Sequence, residues 1–431
     1  MVQRVLLCAT TTGYQTRSFG EAAERLGVEL VFATDRCHVI DDPWRDAAIP
    51  IRFYDEDASV AAVVAAAAER PIDGVLAVGD RPTVIAARVA AELGLTWHSP
   101  AAAAAARHKL RTRECLRDAG LPVPWFLPFA LSDPPSAISQ YGVTYPCVLK
   151  PVALSASRGV MRADNPAALD AAIDRLRRLL QTPELRAERD EAHDTALLEG
   201  FIPGPEYAVE AVMHHGALHA LALFEKPDPL FGPFFEETIY VTPPDLTPDD
   251  QERILRAVAL AADAIGLRHG PIHGECRVNT DGVFVLEVGA RPIGGLCARA
   301  LRFANGATGA GNPSPLVTLE ELLLRHALGE SPDAWRREHC ASGVMMIPIP
   351  RRGVYRGVDG VDAARDVPHV EEVRITAKAD QVLVPLPEGG SYLGFIFARA
   401  DHASDVEHAL RHAHARLQFA VDDELAVRPS A

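Results

Sequence analysis

The stretch HGECRVNTDGVFVLEVGARPIGG, residues 273–295, places two carboxylates on paired apolar runs and follows them with an arginine. The apolar run that contains Glu287 is typical of a buried strand, and Thr-Asp-Gly at 280–282 is typical of a tight hairpin turn. Residues 271–278 are then predicted to form the partner strand. With the turn at this point, Glu275 and Glu287 lie roughly opposite each other, where facing side chains are about 4.5–5.5 Å apart at Cβ.

Two carboxylates at that separation repel each other unless a cation lies between them. Mg²⁺ prefers hard oxygen ligands and usually takes one or two protein carboxylates together with phosphate and water. The pair Glu275 and Glu287 is therefore predicted to bind Mg²⁺, or Mn²⁺ in its place, in a site that also receives phosphate. The alternative is a hairpin that carries two solvated acids.

Three more segments carry charge at the ends of predicted elements. Residues 106–114 open a helix that ends at a glycine followed by prolines. Residues 145–151 predict a short strand that ends in lysine, followed by the small-residue loop 154–160, whose backbone N–H groups can approach phosphate. Residues 196–210 predict a strand, a bend at Pro-Gly-Pro and a second strand, which places two glutamates on the rim of one crevice.

In this order and spacing, the segments over about residues 100–300 resemble the ATP-grasp superfamily, and more closely its carboxylate–amine ligase branch, which includes the L-amino acid ligases. The resemblance implies that ATP is bound and that Glu275 and Glu287 are the metal-binding acids. It implies that Arg291 binds the transferred phosphate or an acyl phosphate. The resemblance further implies that the phosphates contact Lys109, Lys150 and a covering loop with Ser155, Ser157, Arg158 and Gly159. It implies that Glu199 and the backbone of Phe201 and Ile202 hold the adenine edge. The ribose hydroxyls are assigned to Glu206.

The sequence departs from the family pattern at two places. Many relatives carry asparagine two residues after the second acid, where this chain has Gly289, so one metal ligand is missing or comes from elsewhere. The phosphate loop is poorer in glycine than usual, and its Arg158 is an extra candidate for a phosphate contact.

Substrate contacts are predicted around the same hairpin and in one loop. His273 lies on the same strand face as Glu275 by the period of two, so it either orients substrate or takes a proton, or else is a structural histidine. The segment 223–237 is rich in proline and aromatic residues, which is typical of a lid or binding loop. Lys226 and Glu237 are candidates to pair with the charged ends of an amino acid, and the alternative is that they solvate the loop. The backbone N–H groups of Gly294 and Gly295 are candidates to bind an oxyanion or carboxylate, and the alternative is a simple turn.

Composition narrows the class of protein and its partners. The chain has 431 residues, which suggests two to four structural units, and no apolar window reaches the ~18 residues that a membrane span needs. The net charge of −15 without a basic block argues against nucleic acid or an anionic membrane as partner. Seven cysteines without a CxxC pair argue against a zinc site or a disulfide framework, and reduced cytoplasm is the expected compartment. A homo-oligomer is possible.

Four histidines near the C-terminus are interpreted as a solvated helix face: His402, His408, His412 and His414.

The predicted fold class is α/β (α+β) in an ATP-grasp architecture. Strands at 4–9, 28–33 and 73–78, separated by helices near 15–26 and 58–70, predict a doubly wound parallel sheet. The predicted domains are an N-terminal βαβ domain at 1–97, an ATP-grasp domain at 98–330 in two parts (98–198 and 199–330), and a β-rich C-terminal cap at 331–431.

Three functions remain open from the sequence. The first is an ADP-forming ligase that joins a small-molecule carboxylate, such as an amino acid, to an amine through an acyl phosphate. The second is an ATP-grasp carboxylase that uses bicarbonate. The third is a nucleotide-binding module without catalysis, against which the presence of both lysines and both metal acids argues.

Overall fold

The N-terminal region is built on a parallel sheet. The computed structural model describes residues 2–10, 15–35, 48–134, 138, 142–306 and 315–424. Strand order in the first sheet is β3-β2-β1-β4, and all its pairs are parallel, which confirms the predicted α/β class. Val5–Cys8 are fully buried, as expected for a parallel strand. The elements of this region are β1 (Arg4–Ala9), α1 (Thr16–Leu26), β2 (Glu29–Thr34), β3 (Ile49–Pro50), α2 (Glu56–Glu69), β4 (Gly74–Val78) and α3 (Thr83–Leu93).

A second, antiparallel sheet follows a helical connection. Its order is β5-β8-β6-β7, so the predicted strand that ends in lysine lies at its centre, next to β8. The Ser99 side chain accepts from the Ala102 N–H and caps α4. The elements are α4 (Pro100–Arg107), α5 (Lys109–Asp118), β5 (Phe126–Ala130), β6 (Cys147–Pro151), β7 (Met161–Ala163), α6 (Pro166–Leu180), α7 (Pro183–Arg186), a 3₁₀ turn (Glu191–Asp194) and β8 (Thr195–Gly200).

The largest sheet crosses the predicted boundary at residue 330. Its order is β13-β12-β9-β10-β11-β17-β21-β19, so strands of the predicted cap continue the sheet that carries the acidic hairpin. The division between the ATP-grasp domain and the cap therefore stays a prediction, since strands of both belong to one sheet. The strands are β9 (Glu206–His214), β10 (Ala217–Lys226), β11 (Ile239–Thr242), β12 (Gly270–Asn279), β13 (Gly282–Gly289), β17 (Ala341–Ile347), β19 (Val370–Ile375) and β21 (Gly394–Ala400).

Helices and small sheets complete the described chain. The interior position Gly274 on β12 approaches α8 so closely that a Cβ there would lie 2.7 Å from a Val258 methyl. No described helix is long and apolar enough to cross a membrane. The remaining elements are α8 (Pro248–Ile265), β14 (Arg302–Asn305), β15 (Val317–Thr318), α9 (Leu319–Ala327), β16 (Trp335–Arg337), β18 (Gly353–Asp359), α10 (Val361–Arg365), β20 (Val382–Leu383), α11 (Ala403–His414), β22 (Gln418–Asp422), and 3₁₀ turns at Cys297–Ala300 and Pro332–Ala334.

Candidate active site

A cavity of about 320 Å³ lies where the three regions meet. The N-terminal sheet contributes Thr10 and Asp80, which follow the carboxyl ends of β1 and β4, the position at which open parallel sheets bind ligands. The cap contributes Met346 and Tyr392, so it does line the site. The cavity also collects most of the residues singled out in the sequence, namely Lys109, Lys150, Ser155, Ser157, Glu199, Phe201, Ile202, Glu206, Glu237, His273, Glu275, Glu287, Arg291, Gly294 and Gly295.

The predicted acidic hairpin is confirmed, and a bulge fixes its register. β12 and β13 pair from Asn279 and Gly282 at the turn, and Glu275 lies directly opposite Glu287. The register shifts by one residue between Glu275 and Cys276, so Leu286 is the extra residue of a β-bulge. Without that bulge, Leu286 would occupy the place opposite Glu275.

The two acids differ in how far nearby cations offset burial and their mutual repulsion. Burial raises the pKa of Glu275, and repulsion by Glu287 adds to this effect against the attraction of Lys226. Burial also acts to raise the pKa of Glu287, but the nearby cations Lys109 and Arg291 outweigh it and lower the pKa to about 2. The ammonium of Lys109 lies 3.2 Å from the Oε2 atom of Glu287. Two opposed carboxylates that line the same cavity are a donor set that fits Mg²⁺ or Mn²⁺.

Lys150 belongs to a buried ion cluster on the neighbouring sheet. Its Nζ donates to Glu199, whose two carboxylate oxygens also accept from Arg113 at 2.9 and 3.2 Å. Burial lowers the pKa of Lys150 to about 8 even though Glu199 opposes this shift. Burial acts to raise the pKa of Glu199, but Arg113 and Lys150 outweigh it and lower the pKa to about 2. Glu199 thus holds two cations in place, and its contact with adenine stays a prediction.

Arg113 was missed in the sequence although it lies in the basic helix 106–114. It is 1% exposed, and its guanidinium also donates to the carbonyls of Val285 and Leu286 at 3.0 and 2.9 Å. Arg113 therefore ties α5 to the bulged part of β13. A charged residue on a helix gives no sign of such burial, because charged side chains are almost never fully buried unless paired.

The predicted contact between Lys226 and the charged end of a substrate stays a prediction, because protein carboxylates surround the Lys226 ammonium in this structure. Its ammonium is 2.7 Å from Glu206, 2.6 Å from Glu237 and 3.3 Å from Glu275, and the residue does not line the cavity. The cause is the register of β9 and β10, in which Lys226 lies opposite Glu206. The predicted loop 223–237 is also shorter than expected, since β10 extends to Lys226.

Glu206 and Glu237 line the cavity, and both bind the ammonium of Lys226. Glu206 also accepts from Arg277 Nε at 2.9 Å, and burial, which acts to raise its pKa, is outweighed by Lys226 and Arg277, so the pKa is lowered. Burial and repulsion by Glu275 raise the pKa of Glu237 to about 7, with Lys226 opposing. Glu237 is therefore a carboxyl that can exchange a proton near neutral pH.

Arg291 is held by a carboxylate from the N-terminal region. Its Nε and Nη2 atoms lie 3.0 and 3.3 Å from the two carboxylate oxygens of Asp80. A Cβ at Gly289 would lie 3.3 Å from both Arg291 Nε and Asp80 Oδ1, so the ion pair occupies the space that a longer side chain at 289 would need. Asp80 had no motif that marked it, and only the fold brings it to the site.

His273 lies between two carboxylates. Its Nδ1 is 3.1 Å from Glu210 Oε2, and its Nε2 is 3.3 Å from Glu275 Oε1, so it does share a face with Glu275. Glu210 Oε2 also accepts from the Ile293 N–H at 3.0 Å, immediately before Gly294. Burial raises the pKa of Glu210, with His273 opposing. Glu210, which the sequence did not indicate, thus links the histidine to the glycine turn.

The predicted phosphate loop contacts the cap. Ser155 and Ser157 line the cavity, but Arg158 does not, because its guanidinium donates to the Glu388 carbonyl at 2.7 Å and to Glu184 at 3.2 Å. Gly159, with φ 75°, also lies outside the lining, and its N–H donates to the Pro387 carbonyl at 2.8 Å. The expectation that Arg158 and Gly159 contact phosphate is therefore not met in this structure.

Comparison with known proteins identifies the architecture. Residues 20–96 match the ATP-grasp N-terminal domain, residues 143–300 the ATP-grasp domain, and residues 345–422 the L-amino acid ligase C-terminal domain 2. The crystal structure of L-amino acid ligase from Bacillus licheniformis superposes with a TM-score of 0.80 at 26% identity, covering 98% of this chain and 99% of that one.

Curated relatives match over part of their length. The uncharacterized protein y4rH of Sinorhizobium fredii is 26% identical over 73% of this chain and 61% of its own length. A D-alanine–D-alanine ligase of Hydrogenovibrio crunogenus is 30% identical over 41% of this chain and 53% of its own length. The chain thus spans less than two thirds of each of these relatives. With three family matches along the chain and a ligase structure that covers nearly all of it, the chain belongs to the ATP-grasp superfamily, in the carboxylate–amine ligase branch that includes the L-amino acid ligases.

Proposed function

We propose that the protein is an ATP-dependent, ADP-forming ligase that joins a carboxylate, such as an amino acid, to an amine. The observation that carries the proposal is one cavity in which two lysines, one arginine and two opposed acids converge. Activation of a carboxylate by ATP brings two anions together, so cations must neutralise both before attack. The likeness to an L-amino acid ligase over nearly the whole chain supports this reading.

Nucleotide binding is assigned to the wall between the two antiparallel sheets. Lys109 and Lys150 meet the phosphates, and Ser155 and Ser157 cover them from the loop. The bend after Glu199 receives the adenine. Its shape is fixed by the chain itself, because the Phe201 N–H donates to the Pro146 carbonyl at 3.1 Å and the Ile202 carbonyl accepts from Arg277 at 2.8 Å.

Glu275 and Glu287 would hold Mg²⁺, or Mn²⁺, against the phosphates. Such an ion neutralises phosphate charge and fixes the orientation of the transferred group. Glu206 faces the ribose in this scheme, although Lys226 and Arg277 already bind its carboxylate.

The proposed reaction has two steps. A substrate carboxylate oxygen attacks the γ-phosphorus, the bond from phosphorus to the bridging oxygen breaks, and ADP leaves with that electron pair. The amine nitrogen then attacks the acyl carbon, the bond from carbon to the phosphate oxygen breaks, and phosphate leaves while the nitrogen loses a proton. Arg291 stabilises the phosphoryl group in both steps through its positive charge and its remaining guanidinium N–H groups, while Asp80 holds its Nε and Nη2 atoms.

We assign the role of acceptor for the proton of the amine to Glu237 on the cavity wall. Glu237 has a pKa of about 7, which suits a general base, since the best catalytic pKa lies near the working pH. His273 is flanked by Glu210 and Glu275, so its role in this scheme is to hold those carboxylates and the adjoining turn. The N–H groups of Gly294 and Gly295 face the cavity, where a substrate carboxylate would lie.

Product analysis tests the proposal directly. Purified protein is incubated with ATP, Mg²⁺ and pairs of amino acids, or with bicarbonate, and nucleotides and phosphate are separated by chromatography. We expect ADP, phosphate and a dipeptide or amide in equal amounts. AMP with pyrophosphate would exclude the acyl phosphate route, and ADP formed only with bicarbonate would indicate a carboxylase.

The exposed Glu252→Gln variant serves as the control for the Glu287→Gln variant in the same assay, since both remove one acid and only one of them lies in the cavity. Cytoplasmic location and a homo-oligomer stay predictions. Gel filtration with light scattering measures the oligomer.

A further inference from the structure

A group of histidines lies at the other end of the strands that carry the candidate active site. None of them lines the cavity. The ring centroids of His214 and His215 are 4.4 Å apart, those of His215 and His269 are 4.8 Å apart, and those of His269 and His326 are 4.4 Å apart. Such close packing of imidazoles brings several potential metal ligands into one small volume.

Backbone pairing fixes the positions of three of these histidines. His214 ends β9, and His215, with φ 51°, forms the tight turn into β10 together with Gly216. His269 directly precedes β12, whose first residue, Gly270, pairs with Met213 of β9. The three histidines are therefore neighbours in space because β12 and β10 flank β9 on its two sides.

Hydrogen-bond partners separate a structural histidine from a potential ligand. Both ring nitrogens of the nearby His98 are used, since Nδ1 accepts from the Arg268 N–H at 3.2 Å and Nε2 donates to the Pro271 carbonyl at 3.1 Å. His269 differs. It is only 6% exposed, and its Nδ1 atom is buried without a hydrogen-bond partner among the described residues. A buried polar atom without a partner is costly, so its retention calls for a ligand.

The three histidines also have suitable spacing. One nitrogen from each of His214, His215 and His269 lies within 4.8 Å of the other two. A tetrahedral ion with bonds of about 2.0–2.1 Å brings such nitrogens to about 3.4 Å, so the three rings must approach one another when the ion binds. His326 Nε2 lies 3.2 Å from His214 Nδ1 and orients that ring.

We propose that His214, His215 and His269 bind one Zn²⁺ ion at a site separate from the candidate active site. Three imidazoles with a fourth position open to water are a ligand set that zinc accepts. The ion joins the β9–β10 turn to the start of β12. Since β9 and β12 also carry Glu206, His273 and Glu275, which line the cavity, its expected effect is to stabilise the sheet beneath the cavity.

The test uses the full chain without an affinity tag, stripped with a chelator and dialysed into buffer that contains Mg²⁺. Zinc chloride is titrated in by calorimetry, and thermal unfolding is recorded with and without zinc. We expect one ion per chain and a higher Tm with zinc. Removing a direct ligand in His269→Ala or His215→Ala should weaken binding by at least about tenfold, the lower bound seen when even an outer contact of a metal ligand is lost.

The His215→Ala variant keeps the test decisive if the buried His269→Ala variant fails to fold, because His215 is exposed. His412→Ala is the matched control, since His408 and His412 also form a pair on the exposed face of α11, with centroids 3.8 Å apart. Absence of saturable binding, binding unchanged in His215→Ala, or binding lost only in His412→Ala would each overturn the proposal.

Discussion

Replacing Arg291 by lysine tests whether this side chain acts on the transferred phosphoryl group. The guanidinium is 9% exposed and makes two contacts with Asp80, at 3.0 and 3.3 Å, which fix its plane toward the cavity. A lysine keeps the charge but can reproduce only one contact of such a fork. A hydrogen bond to a charged group contributes about 1.5–3 kcal/mol, and each 1.36 kcal/mol changes a rate about tenfold.

If Arg291 contacts the phosphoryl group in the transition state, Arg291→Lys should lower the single-turnover rate of phosphate transfer by about 10- to 100-fold. The affinity for ATP should change little, because the contact strengthens only as charge moves to the acyl phosphate. Loss of one bond to Asp80 should also lower the free energy of unfolding, so Tm is measured on the same preparation. The exposed Arg17→Lys variant is the control. Normal phosphate transfer by a destabilised Arg291→Lys protein would refute the catalytic role.

Three further predictions concern the acids and the buried lysine. Glu287→Gln should abolish turnover at nearly constant volume while circular dichroism shows an intact fold, and wild-type activity at limiting Mg²⁺ would disprove the metal assignment. Lys226→Met should lower the free energy of unfolding by about 3–5 kcal/mol, because it removes the buried cation that Glu206 and Glu237 share, whereas the exposed Lys378→Met should not; equal urea midpoints would contradict this. Glu199, with its pKa lowered from 4.5 to about 2, contributes stability that is present above pH 4.5 and lost as the pH falls toward 2. The difference in unfolding free energy between the wild type and Glu199→Gln should therefore shrink across that window, and a difference independent of pH would argue against the ion cluster.

Local features of the sequence were sufficient for the hairpin that carries the two acids. Alternating and apolar runs report strands through a period of two residues, and a Thr-Asp-Gly turn sets where the chain reverses. Both signals lie within about twenty residues. The strand that contains Lys150, the two predicted helices near 15–26 and 58–70, and the parallel sheet were confirmed for the same reason, whereas α3 had not been predicted.

Local signals in the sequence did not predict the register of the strands. In the β9–β10 hairpin the pairing shifts by one residue between Ala220 and Ala222, and this shift places Lys226 opposite Glu206. The register set by the first pairs would instead place Glu225 there. A bulge of one residue leaves no clear mark in a hydrophobic pattern, yet it turns a predicted substrate contact into a buried ion pair.

The sequence by itself determined the ATP-grasp elements, their order and the residue types that meet in the cavity. Only the tertiary structure decided which charges pair there. Asp80 and Arg291 are separated by 211 positions and Arg113 and Glu199 by 86, so neither pair shares a local pattern. A buried charge must find its partner from whichever element packs against it, since burial without a partner costs several kcal/mol. The packing of the sheets decides which partner is near, and no local pattern in the sequence reports that packing.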